Sequence, residues 1–136
     1  MPIYEISWAW EEGEMHDILE HEKTFSQKQL KEMLRVAFCK AIDELLAASE
    51  YKGFWIGLED AFYSSYALDF SVAGIMCKEF GFKQVEMTCA SEEGGLIIEG
   101  DCEEDEQIGQ WLGPDRYKAV LEHNAQVQRK GLGLEE

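Results

Sequence analysis

The chain has 136 residues, 46% of them apolar and 12% aromatic, which is enough to bury one compact core without help from metals or disulfides. Twenty-eight acidic residues against twelve basic ones leave a formal charge of −16, a balance that repels nucleic acid and anionic membrane and attracts basic proteins. Direct DNA or RNA binding is therefore not expected, and neither is a membrane partner.

An α+β domain is expected over residues 1–130, with 131–136 as a flexible tail; the two prolines and the lack of low-complexity tracts leave no room for extended linkers. The start Met1-Pro2-Ile3-Tyr4-Glu5 lacks the basic and apolar regions of a secretory signal, and no apolar run approaches the roughly 18 residues of a membrane span. Cys39, Cys77, Cys89 and Cys102 are scattered, so reduced thiols in a cytoplasmic protein are expected.

Tyr4, Ile6, Trp8 and Trp10 alternate with Glu5, Ser7 and Ala9, the period of a half-buried strand with an aromatic inner face. Glu11-Glu12-Gly13-Glu14 breaks that pattern, and Met15–Lys23 reads as irregular or a single helical turn. Ser26 and Gln29 form a capping box flanked by Phe25 and Leu30, so a long amphipathic helix is expected from Gln27. Its stripe of Leu30, Met33/Leu34, Ala37/Phe38, Ala41/Ile42 and Leu45/Leu46 keeps phase until Gly53 supplies a left-handed stop.

Phe54–Leu58 reads as a short strand and 62–70 as another, although 66–80 also fits one helix. The preferred reading is a helix capped by Ser71 and ended by Gly81. Val85, Met87 and Cys89, then a turn at Ser91–Gly95, then Leu96-Ile97-Ile98 predict a hairpin. Ile108, Trp111 and Leu112 suggest a short helix, after which Gly113-Pro114 restarts the chain into a final helix with Tyr117, Val120, Leu121, Asn124 and Val127 on one face. The expectation is a mostly antiparallel sheet of about five strands packed on the long helix, with a C-terminal helix.

The charge is unevenly placed. Residues 1–25 hold seven acids and one base, and residues 86–106 hold nine acids and no base, so these two segments account for −15 of the −16. Clustered carboxylates repel one another, and solubility alone does not require the clustering. If both segments share a face, Glu11, Glu12, Glu14, Glu92, Glu93, Asp101, Glu103, Glu104, Asp105 and Glu106 would form its partner-binding surface.

Catalytic signatures are weak. His16 and His21 stand five residues apart, whereas zinc-hydrolase motifs place their ligands at i and i+4. Asp101, Glu103 and Asp105 fit the first, third and fifth places of a calcium loop, but Glu106 and Leu112 occupy the places that demand glycine and glutamate, which excludes an EF-hand and leaves only weak divalent-ion binding. No C-x-x-C pair, nucleophile elbow or phosphate loop is present, and no cofactor is expected. Tyr63 and Trp111, each beside an acidic or poorly patterned stretch, are the candidate aromatic anchors.

The expected function is that of a non-enzymatic acidic inhibitor that occupies the basic nucleic-acid-binding surface of a partner, such as a nuclease, as a DNA mimic would. In size and charge the chain is similar to bacterial immunity proteins and to phage or plasmid antirestriction and anti-CRISPR proteins, a likeness of character without a shared motif. The alternatives are a small metal-dependent enzyme using His16, His21, His123 and carboxylates, and a homo-oligomeric scaffold.

Overall fold

The computed structural model describes residues 1–10, 13–48, 53–62, 71–86, 95–101 and 105–131, with the backbone alone for 101 and 105–109. Strand β1 (Ile3–Trp10) pairs antiparallel with β2 (Gly13–Glu20) from Ile3↔Glu20 to Trp10↔Gly13. Helix α1 (Gln27–Ala47) follows, then a 3-10 turn (Leu58–Ala61), α2 (Val72–Phe80), the two-residue β3 (Lys83–Gln84), β4 (Leu96–Asp101) and α3 (Asp105–Gly131). The sheet is mixed, in the order β3-β2-β1-β4, with β4 parallel to β1.

This α+β architecture corrects the expected sheet in several places. Met15–Lys23 is not irregular, because most of it is β2, a strand whose whole length is fixed by pairing with β1. Its polar sequence hid it, since strand formation depends on cross-strand partners more than on intrinsic preference. Of the expected hairpin of Val85–Cys89 with Leu96–Ile98, residues 87–89 lie outside the described residues. Residues 83–84 pair with β2 at one edge and 96–101 pair with β1 at the other, so four strands are described, one pair of them parallel. The turn at Ser91–Gly95 and the strand assigned to 62–70 lie largely outside the described residues.

Phe54–Leu58 is not a strand either. Ile56 is buried, and its backbone N–H and carbonyl bond the Asn124 side chain instead of a neighbouring strand.

The helix signals hold more closely. Ser26 Oγ accepts from Gln29 N–H at 3.2 Å while Gln29 Oε1 accepts from Ser26 N–H at 2.9 Å, completing the capping box. The helix stops at Ala47 with Ala48 extended, before Gly53 is reached. Ser71 caps α2 and Gly81 closes it at φ 78°. Gly113, at φ 80°, interrupts α3 one residue before Pro114.

One face of the sheet presents Tyr4, Ile6, Trp8, Leu19 and Ile98 to the helices, where they meet Leu30, Leu34, Phe38, Ile42, Ile75, Met76, Leu112 and Val120. Trp8 stacks on Phe62 at 4.7 Å, and Phe62 on Phe38 at 5.4 Å. Cys39 is a buried free thiol and Cys77 a half-buried one; Cys89 and Cys102 are outside the described residues. Among the described residues, no helix is long and apolar enough to cross a membrane.

Candidate functional site

Alternation along a strand sends Glu5, Ser7 and Ala9 to the face opposite the aromatic core. The register then lays rows across β2, β1 and β4 on that face, Ile18–Glu5–Ile97 and His16–Ser7–Glu99, with Glu14 beside Ala9 and the backbone of Asp101 on the other side of it. Exposure rises along them. Glu5 and Ile18 are 5% and 4% exposed, whereas the Glu14 and His16 side chains reach 69% and 47%.

The parallel pairing of β4 is what gathers charge here. Because β4 runs with β1, its C-terminal end lies beside the end of β1 that leads towards β2, so positions 14 and 101 stand two strand spacings apart, about 9.5 Å. The backbone of Asp105 and Glu106 enters the first turn of α3 just beyond. Neither β1, β2 nor β4 contains a lysine or arginine. Of the expected binding residues, Glu14 and Asp101 therefore share a row, while Glu11, Glu12, Glu92, Glu93, Glu103 and Glu104 are outside the described residues.

Sequence reasoning passed over Glu5, Ser7 and Glu99 as site residues. The same two-residue period that marked the aromatic inner face of β1 places Glu5 and Ser7 on the other side, and this was the signal that could have found them.

Ser7 links the row residues. Its Oγ lies 2.7 Å from His16 Nδ1 and donates to Glu5 Oε2, while His16 Nε2 stands 3.5 Å from Glu14 Oε1. The order carboxylate, imidazole, hydroxyl has the connectivity of a nucleophilic triad. Ser7 gives its single hydroxyl proton to Glu5 Oε2, however, which leaves its oxygen to accept from His16, so the buried hydroxyl is committed on both sides. The cluster acts as a polar staple across β1 and β2 that satisfies a buried carboxylate.

On the core side of the sheet, burial pushes the Asp17 carboxyl above its ordinary value, against the opposing effect of the Gln84 amide at 2.9 Å.

The histidines do not converge. His21 lies five residues from His16 along one strand and its continuation, about 16 Å away when extended and on the opposite face. Its Nε2 meets the Phe80 carbonyl at 2.9 Å and its Nδ1 accepts from Lys23 N–H, within a cluster of Phe25 and Phe82. His123 Nε2 meets the Phe54 carbonyl at 2.7 Å on α3. Among the described residues, no group of three or more His, Cys, Asp or Glu could hold a metal ion.

Of the aromatic anchors, Tyr63 is outside the described residues and Trp111 is half-buried against Trp8 and Phe38. Among the described residues, the exposed aromatics are Phe54 and Trp55 instead. Comparison of the chain with protein-family models, curated proteins and solved structures finds no match.

Proposed function

We propose that this protein binds a partner by presenting the acidic end of its sheet to a cationic surface, occupying the lysines and arginines with which that partner grips nucleic-acid phosphates. One observation carries the reading: the β1/β2/β4 register aligns positions 14, 99 and 101, all acidic, on strands that contain no lysine or arginine and a single histidine, His16. An anionic face with so few cations destabilises the free protein and is relieved by a cationic partner. DNA carries one charge per about 1.7 Å of axis, so carboxylates in successive strand rows compete for similar cationic groups.

The test is capture from the native host on immobilised protein. It compares the wild type with a variant in which Glu14, Glu99, Asp101, Glu103 and Glu104 are reversed to lysine. A basic protein held by the wild type, lost from the variant and displaced by duplex DNA supports the reading. Retention must also fall as ionic strength rises from about 0.1 M to about 1 M, where the screening length shrinks from about 10 Å to about 3 Å. Identical capture by both proteins, or capture insensitive to salt and DNA, removes it.

A further inference from the structure

On the helical side of the molecule, an open groove of about 540 Å³ is lined by Gln27, Lys28, Lys31, Glu32 and Arg35 of α1 and by Trp111 of α3. Lys28, Lys31 and Arg35 fall at i, i+3 and i+7, one stripe of a helix. Arg35 is fixed by Glu32, with Nη2 donating to Oε1 at 2.6 Å and Nε to Oε2 at 3.1 Å. This charge-assisted hydrogen bonding holds Glu32 below the ordinary carboxylate range. Lys28 and Lys31 have no ion pair among the described residues, and the first turn of α1 contains no acid. The groove thus carries three cations against one anion in a chain of net charge −16.

We propose that this groove binds a small polyphosphate-bearing ligand, with Lys28 and Lys31 on the phosphates, Arg35 oriented by Glu32 at the rim, and Trp111 beside any attached ring. The volume lies within the roughly 300–1,000 Å³ of small-molecule sites. Lysine suits a phosphate as a compact, rotatable charge, and an ordered guanidinium adds directed donors. The acidic rows face away from α1 across the sheet. At one packed layer, about 10 Å, and a screening length of about 8 Å at physiological salt, their repulsion of an anion here is strongly reduced.

The site is independent of the acidic face, and its failure would leave the proposed function standing. The experiment measures thermal melts of the full chain with sodium tripolyphosphate, with ATP, and with a short polyglutamate peptide. It uses the wild type, the double variant Lys28→Glu/Lys31→Glu, and Lys130→Glu as a charge control at the far end of α3. Both lysines of the double variant are exposed, so its unliganded melt should match that of the wild type. The expected result is a rise in Tm with tripolyphosphate and ATP in the wild type and in Lys130→Glu, and none in the double variant. Equal rises with the two ligands assign the binding to phosphate, and a larger rise with ATP adds the ring contact at Trp111. No rise with either in the wild type overturns the proposal. So does equal loss in Lys130→Glu, or a larger rise with polyglutamate, which would make the groove a docking surface for an acidic protein segment.

Discussion

Asn124 offers the sharpest test of how the last helix is held. It is 6% exposed on α3, and its amide spans the backbone of Ile56: Oδ1 accepts from Ile56 N–H at 2.8 Å and Nδ2 donates to the Ile56 carbonyl at 2.9 Å. Asn124→Ala leaves a buried donor and a buried acceptor without partners. Each costs about 1–3 kcal/mol, and partial entry of water favours the lower half of the sum, so a loss of about 2–4 kcal/mol is expected. Against a total stability of about 5–15 kcal/mol this is easily read from a urea transition with unchanged slope.

Asn124→Asp separates the two bonds. A carboxylate still accepts from Ile56 N–H, but it sets a second acceptor against the Ile56 carbonyl and buries a charge, so its folded pKa should lie above the unfolded value of about 3.9. Stability from such a group is fully present below the unfolded value and is lost as pH rises through the folded one. The deficit of Asn124→Asp relative to wild type should therefore shrink between pH 7 and about pH 5. A cost below about 0.5 kcal/mol for Asn124→Ala, together with a pH-independent deficit for Asn124→Asp, would refute the argument, because that size is typical of surface substitutions.

Three other perturbations follow from the packing. A Cβ at Gly100 would run into the Trp8 indole, itself stacked on Phe62, so Gly100→Ala should cost about 1–3 kcal/mol by urea denaturation and weaken the aromatic near-ultraviolet dichroism. Ser26→Ala removes the acceptor of the Gln29 N–H and should cost about 1 kcal/mol, whereas Ser26→Asp should restore most of it. Asp17→Asn can keep an oxygen for the Gln84 amide while removing a carboxyl whose pKa burial has raised. Asp17 favours folding most when protonated and loses that contribution as pH rises, so the variant should gain on the wild type in paired denaturation curves from acid to neutral pH. A widening advantage for the wild type would contradict the cause assigned.

What the sequence made legible was what local chemistry decides. Ser26 with Gln29, and Ser71 with Gly81, are cap pairs that act within one helical turn, and the Gly113-Pro114 break needs no tertiary partner to be read. Asn124 was visible as a polar residue on an otherwise apolar face, but its bonding to Ile56 was not, because the two lie 68 residues apart. β2 was missed for the same reason: Gly13–Glu20 is a strand because β1 lies beside it, and Asp17 interrupts the inward pattern that would have announced it. The parallel seat of β4 was the largest miss. A tight turn signal at Ser91–Gly95 pointed to a local partner, most of which lies outside the described residues, whereas β1, the described neighbour of β4, comes from the opposite end of the chain. That same placement makes the expected meeting of distant acidic segments geometrically available, through a connection the local reading did not anticipate.

The placement of the basic residues gives the acidic end its significance. Among the described residues, the ion pairs made by lysine and arginine all lie on the helices: Arg35 with Glu32 on α1, Lys40 with Glu79 between α1 and α2, Arg116 with Asp43 between α3 and α1, and Lys118 with Glu122 on α3. In three of them the cationic side chain is partly covered, and two tie one helix to another, so these four cations serve the helical layer and not Glu14 or Glu99. The two layers should therefore respond to salt in opposite directions. Screening weakens exposed helix pairs by little, since each is worth well under about 1 kcal/mol, but it relieves repulsion summed over many like charges. The free protein is accordingly expected to melt at a higher temperature in about 0.5 M salt than in about 0.05 M, while any complex formed through the acidic rows dissociates over the same range. A free protein destabilised by salt would mean that attraction, and not repulsion, dominates its surface, and the carboxylate rows would then have no uncompensated charge to offer a partner.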